Sequence, residues 1–148
     1  MEQICDDLKS VLLAELPVLL ESAATAEIPL PSFSDLTITV GYVDLQKHNG
    51  AQELFIIPDR QSLSESTLAS FEASTPVELL IVVRRADPEV LYRQCLRYAS
   101  AMKKLFNGNP EYATRVVEIE YYEEVEAIKD VKAISLTLEI TTEEMMEG

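Results

Sequence analysis

One stretch, Thr75 to Pro110, constrains this chain more than any other, because a short apolar segment runs straight into a well-marked helix. Val77 to Val83 is β-branched and apolar and is bounded by Pro76, the pattern of a strand buried on both faces. Asp87-Pro88-Glu89 then opens a helix. Asp87 suits the N-cap, Pro88 sits where its missing N–H costs nothing, and Glu89 complements the positive helix end. Val90, Leu91, Cys95, Tyr98, Ala99, Met102, Leu105 and Phe106 return at helical spacing and define one apolar face. Asn107-Gly108-Asn109-Pro110 ends the run, with Gly108 expected to take a left-handed cap.

The rest of the chain must supply partners for that unit. Glu2 to about Ser22 reads as an amphipathic helix with Ile4, Leu8, Val11, Leu12, Leu16, Leu19 and Leu20 on one stripe. Pro17 is expected to kink it or end it a turn early. Ala23 to Asp35, with Pro29 and Pro31, is an aperiodic connector. Leu36 to Val43 alternates as a strand in which Gly41 marks a possible bulge, and Glu53 to Ile57 is its returning partner. Asn49-Gly50 between them is hairpin chemistry. Arg60 to Thr75 is polar and Ser-rich, expected to be a mobile loop or a short helix anchored by Leu63, Leu68 and Phe71. Ala113 to Glu123 and Val131 to Ile140 alternate as two more strands, paired antiparallel, before a frayed tail from about residue 142. The expected architecture is a single α+β domain: a mostly antiparallel sheet of about five strands against two helices, in the order α-β-β-loop-β-α-β-β.

Composition narrows the function classes. The chain of 148 residues is 47% hydrophobic, enough for a packed core. Its formal net charge is −14, the opposite of the basic footprint a general nucleic-acid binder needs. Cys5 and Cys95 belong to no CxxC or Cys/His pattern and are expected to be reduced, buried fillers. The first ten residues carry acids where a signal peptide carries cations, and no apolar run reaches membrane-spanning length, so a cytoplasmic setting is expected.

Catalytic chemistry has little to stand on. The single histidine, His48, falls in the expected hairpin turn, where an exposed turn residue is the plain reading. No HExxH, P-loop or GxGxxG pattern occurs, and four glycines leave little material for a phosphate cradle. Glu118 and Glu120 share a strand face, which could serve acid–base or cation chemistry but is more simply a solvated face. Glu123, Glu124 and Glu126 form an acidic turn without EF-hand spacing. No cofactor, metal or catalytic residue is expected.

Charge is distributed unevenly along the chain. Between Arg84 and Lys104, Arg84, Arg85, Arg93, Arg97, Lys103 and Lys104 face only Asp87 and Glu89, a local +4. From Glu111 onward eleven acids face Arg115, Lys129 and Lys132, a local −8. A basic helix face and an acidic strand can meet within one molecule or, head to tail, between copies. The expected subunit contacts are therefore Arg93, Arg97, Lys103 and Lys104 on one side and Glu118, Glu120, Glu123 and Glu124 on the other.

The order of elements, the unit RRADPEVLYRQCLRYASAMKKLFNGNP and the closing strand KAISLTLEI together resemble the tail terminator and neighbouring head–tail joining (tail completion) proteins of long-tailed bacteriophages. The resemblance covers Glu2 to Thr142 and rests on pattern and size, with no diagnostic residue. It implies a structural virion assembly protein without catalysis: a subunit of a ring, typically hexameric, that caps the tail tube, ends its growth by occupancy and meets the head connector. It implies the tail-tube and head-connector proteins as partners, and the host cytoplasm and the virion as locations. The family's variable β-hairpin extension would fall at Arg60 to Thr75, where no strand pair is evident from the sequence. Two other classes fit the same charge. One is an acidic monomeric or dimeric interaction domain, an adaptor or a nucleic-acid-mimicking inhibitor. The other is a small carboxylate/metal enzyme centred on Glu118 and Glu120.

Overall fold

The structure, a computed structural model, describes residues 2–41, 51–58, 62–65, 70–84, 86–123 and 131–145, with 62–65, 70–74 and 142–145 described through the backbone. The elements run α1 (Glu2–Ala23), β1 (Ile38–Val40), β2 (Gln52–Pro58), β3 (Ser62–Glu65), β4 (Ser70–Arg84), α2 (Pro88–Asn107), a 3-10 turn (Pro110–Tyr112), β5 (Thr114–Tyr122) and β6 (Val131–Met145). The six strands form one sheet in the order β1-β2-β4-β6-β5, with β3 following β2 along the same edge of β4. Both helices pack on one face of the sheet, so the expected α+β class holds.

The sequence pattern explains the core directly. Val77, Leu79, Ile81 and Val83 of β4, Leu54 and Ile56 of β2, and Ile134, Leu136, Leu138 and Ile140 of β6 turn to the helices. They meet Cys5, Leu8, Leu12, Leu16 and Leu20 of α1 and the apolar face of α2. Each such side chain, fully withdrawn from water, contributes about 1.5–3 kcal/mol. Both cysteines are free and buried, as expected.

The connector after α1 is held by donors from α2. Gln94 Nε2 donates to the Pro29 carbonyl at 2.8 Å, and the Tyr98 hydroxyl donates to the Pro31 carbonyl at 2.8 Å. Arg97 Nη1 donates to the carbonyl of Ala23, the last residue of α1, at 3.1 Å and to Thr25 Oγ1 at 3.3 Å. Ile28, Leu30 and Phe33 are thereby buried, and Phe33 packs on Tyr98 with ring centroids 5.1 Å apart.

Several expectations are corrected. β1 does not form a hairpin with β2; the two are parallel, Ile38 opposite Leu54 and Val40 opposite Ile56. Gly41 ends β1 at φ +105°, a backbone open to glycine, with its N–H donating to the Ile56 carbonyl at 2.8 Å. It is a strand terminator and no bulge; the turn at Asn49-Gly50, together with His48, lies outside the described residues. The sheet's bulge is instead at Val117, between Val116 and Glu118. α1 continues through Pro17 to Ala23, because Leu16 and Leu20 on either side are locked into the core. Gly108 is right-handed at φ −87°, and a Cβ there would come within 2.5 Å of the Lys104 carbonyl oxygen. The glycine is needed for close approach, not for handedness. Asp87 occupies the N-cap position without a side-chain cap bond.

The stretch read as a polar loop is drawn into the sheet. β3 pairs antiparallel with the start of β4, Ser62 opposite Ser74 and Glu65 opposite Phe71. β4 in turn pairs with β6 along its whole length, from Arg84 opposite Val131 to Ser70 opposite Met145. The tail expected to fray from residue 142 is thus strand to Met145. β3, β4 and β6 together carry the sheet beyond the two-helix layer.

Candidate interaction surface

The sheet has a second face, away from the helices. Phe55, Val82, Val131 and Ala133 are buried there, with Ile57, Leu80 and Tyr122 half-buried beside them. At one end of this face Arg84 Nη1 meets Glu53 Oε1 at 2.7 Å, both side chains nearly buried. Ser135 donates to Glu78 Oε1 at 2.7 Å.

The bulge decides where the acids of β5 point. Before it, Val116 opposes Leu138; after it, Ile119 opposes Leu136 and Tyr121 opposes Ile134, all on the helix side. Glu118 opposes Thr137 and Glu120 opposes Ser135, placing both carboxylates on the back face. The Tyr122 hydroxyl donates to Glu120 Oε2 at 3.1 Å. Desolvation, then that bond and the charge of Glu120, push the Tyr122 phenol above its ordinary value. Glu123 is separated from this pair. It shares a groove on the helix side with Pro88, Glu89, Tyr92, Tyr121 and Lys132, and its backbone carbonyl accepts from Lys132 Nζ at 2.6 Å. Glu124 lies outside the described residues, as does Arg85.

The cations of α2 lie in the other layer and do unequal work. Arg97 closes the carbonyl end of α1, a cation at the negative pole of a helix. Arg93 pairs with Glu89 one turn earlier at 3.1 Å, an exposed pair worth about 0.3–0.5 kcal/mol. Lys103 and Lys104 are exposed and have no ion pair among the described residues. The basic helix and the Glu118/Glu120 pair therefore do not meet within the molecule; the sheet stands between them. The structural role of Arg97 had no local signal, since its acceptor is 74 residues earlier in the chain.

Among the described residues no group of three His, Cys, Asp or Glu side chains is placed to hold a metal ion. No described helix is long and apolar enough to cross a membrane. The chain matches no protein-family model and no curated protein sequence.

Proposed function

We propose that this chain is a structural assembly protein of a phage or prophage virion, a tail terminator-like ring subunit that caps the tail tube and joins it to the head connector. The observation that carries this reading is the placement of exposed charges of opposite sign on two faces that do not meet. Lys103 and Lys104 stand on the helix layer and Glu118 and Glu120 on the sheet's back face, all four exposed and without an ion pair among the described residues, which suits them to contacts with another molecule. The strand extension built from β3, β4 and β6 adds support, because it falls where the resembled family carries its variable hairpin. In this reading no bond is made or broken. The ring binds the last tube ring in place of the next tube subunit, and growth stops because the site is occupied.

Electron microscopy of the negatively stained protein tests the reading. Closed rings with an open centre, seen also on the ends of tail tubes when tube protein is added, are the expected result. A compact particle without a central opening that leaves tubes uncapped would favour an acidic interaction domain instead.

A further inference from the structure

Seven large apolar side chains are exposed among the described residues, and six of them gather at the two opposite edges of the sheet. At the β5 edge Val117 and Ile119 are 48% and 44% exposed. Beside them on α2 stand Tyr92, whose ring meets Tyr121 of β5 at 5.1 Å, and Leu96 one turn further on. At the β1 edge Leu36 is 90% exposed and Val40 is 41% exposed. Exposed apolar groups grouped in this way mark contact surfaces, whereas scattered ones do not.

The charges beside the two edges are mixed, with Glu89 and Glu123 near Tyr92 and Lys9 paired to Asp35, but at the end of the helix layer where α1 begins they are opposite. On α2, Lys103 follows Leu96 by two turns and so lies in the row that faces the β5 edge. On α1, Lys9 reaches Asp35, the residue before Leu36, at 2.8 Å, so its side of the helix faces the β1 edge. Glu2 and Asp6 precede Lys9 at helical spacing and share that side. The first turns of α1 line a groove with Phe106 and Tyr112 at the far end of α2. Asp6 and Lys103 therefore lie at the same end of the helix layer, on its two opposite flanks.

We infer that each edge is covered by a second copy of this chain: the β5–α2 side of one copy docks on the β1–α1 side of the next, Ile119 and Leu96 against Leu36 and Val40, with Lys103 toward Asp6. The inference rests on the ring reading and gives that ring its lateral contact. The contact is heterologous, so repetition closes a ring or extends a filament. It is made by side chains, because the bulge at Val117 interrupts the straight edge that strand-to-strand pairing needs.

The test is the solution mass of the wild type and of Ile119→Asp, Leu36→Asp and Val18→Asp, each with a thermal melt to show that it is folded. The wild type should assemble. Ile119→Asp and Leu36→Asp should each be monomeric where the wild type is assembled, a loss of about tenfold or more in association. Val18→Asp, on α1 away from both edges, should assemble as the wild type does. A mixture of Ile119→Asp with Leu36→Asp should stop at dimers, since only one live pair of edges remains. Should an Asp variant fail to fold, Ile119→Ser and Leu36→Ser carry the same comparison. A wild-type oligomer that survives both substitutions overturns the inference and leaves the ring reading standing. Loss of assembly in Ile119→Asp alone, with Leu36→Asp unaffected, overturns it in favour of a two-fold contact. A monomeric wild type overturns both.

Discussion

At the scale of single residues, the buried polar groups separate those that are satisfied from one that is not. Thr75 is fully buried beside Pro76, and its hydroxyl has no hydrogen-bond partner among the described residues. Replacing it with valine keeps the shape and removes a desolvated hydroxyl. Thr75→Val should raise stability by about 1 kcal/mol, read as a melting temperature about 2–4 °C higher. The Arg84–Glu53 pair is the opposite case. Glu53→Ala leaves a nearly buried guanidinium without that partner and should cost about 3 kcal/mol in a urea titration. Cys95 links burial to pH. Burial pushes its thiol from 9.0 up to about 12, partly offset by the nearby Lys132 charge. Below pH 9 the thiol is protonated in both folded and unfolded chains and contributes nothing to pH dependence. Between 9 and 12 only the unfolded chain releases the proton, so stability falls as pH rises. The melting temperature should decline across that window, with a shallower decline in Cys95→Ala.

At the scale of elements, the helices and strands with a local apolar pattern were legible, whereas pairing direction, the bulge and the conformation at Gly108 and Pro17 were not. The β4–α2 unit carries its own signals: Pro76, the β-branched run, Asp87-Pro88-Glu89 and the glycine at the helix end. Both closing strands announce themselves by alternation. Pairing direction is another matter, since Asn49-Gly50 suggested a hairpin while the sheet sets β1 parallel to β2. The strand at Ser62–Glu65 has no periodic apolar pattern; it exists because β4 extends past β2 and offers an unpaired edge. The bulge at Val117 was equally hidden, and it fixes which acids face which layer. Pro17 shows tertiary packing overriding propensity, for α1 persists although the proline withholds a backbone donor. Pro17→Ala restores that donor and should stabilise the protein by about 3 kcal/mol in the same titration. Of the interface residues expected from charge, Arg97 proved to be the tie between α2 and α1, and Glu123 left the group of acids it was placed with.

At the scale of the whole molecule, two kinds of surface remain once the fold is complete. Lys103 and Lys104 stand exposed on the helix layer and Glu118 and Glu120 on the sheet's back face, and the edges are apolar with charges beside them. A subunit of this kind can meet neighbours along two directions: side to side through its edges, with Lys103 beside them, and front to back through Lys104 on one layer and Glu118 and Glu120 on the other. In the proposed function the first direction would close a ring, and the second would leave charged faces for the tube and the connector, contacts that salt should weaken. The most direct measurement is the mass of the 16.6 kDa chain in solution by light scattering, at low and at high salt. One oligomer of fixed mass that persists at high salt is expected, because the lateral contact is mainly apolar. A monomer at every concentration and salt would contradict it.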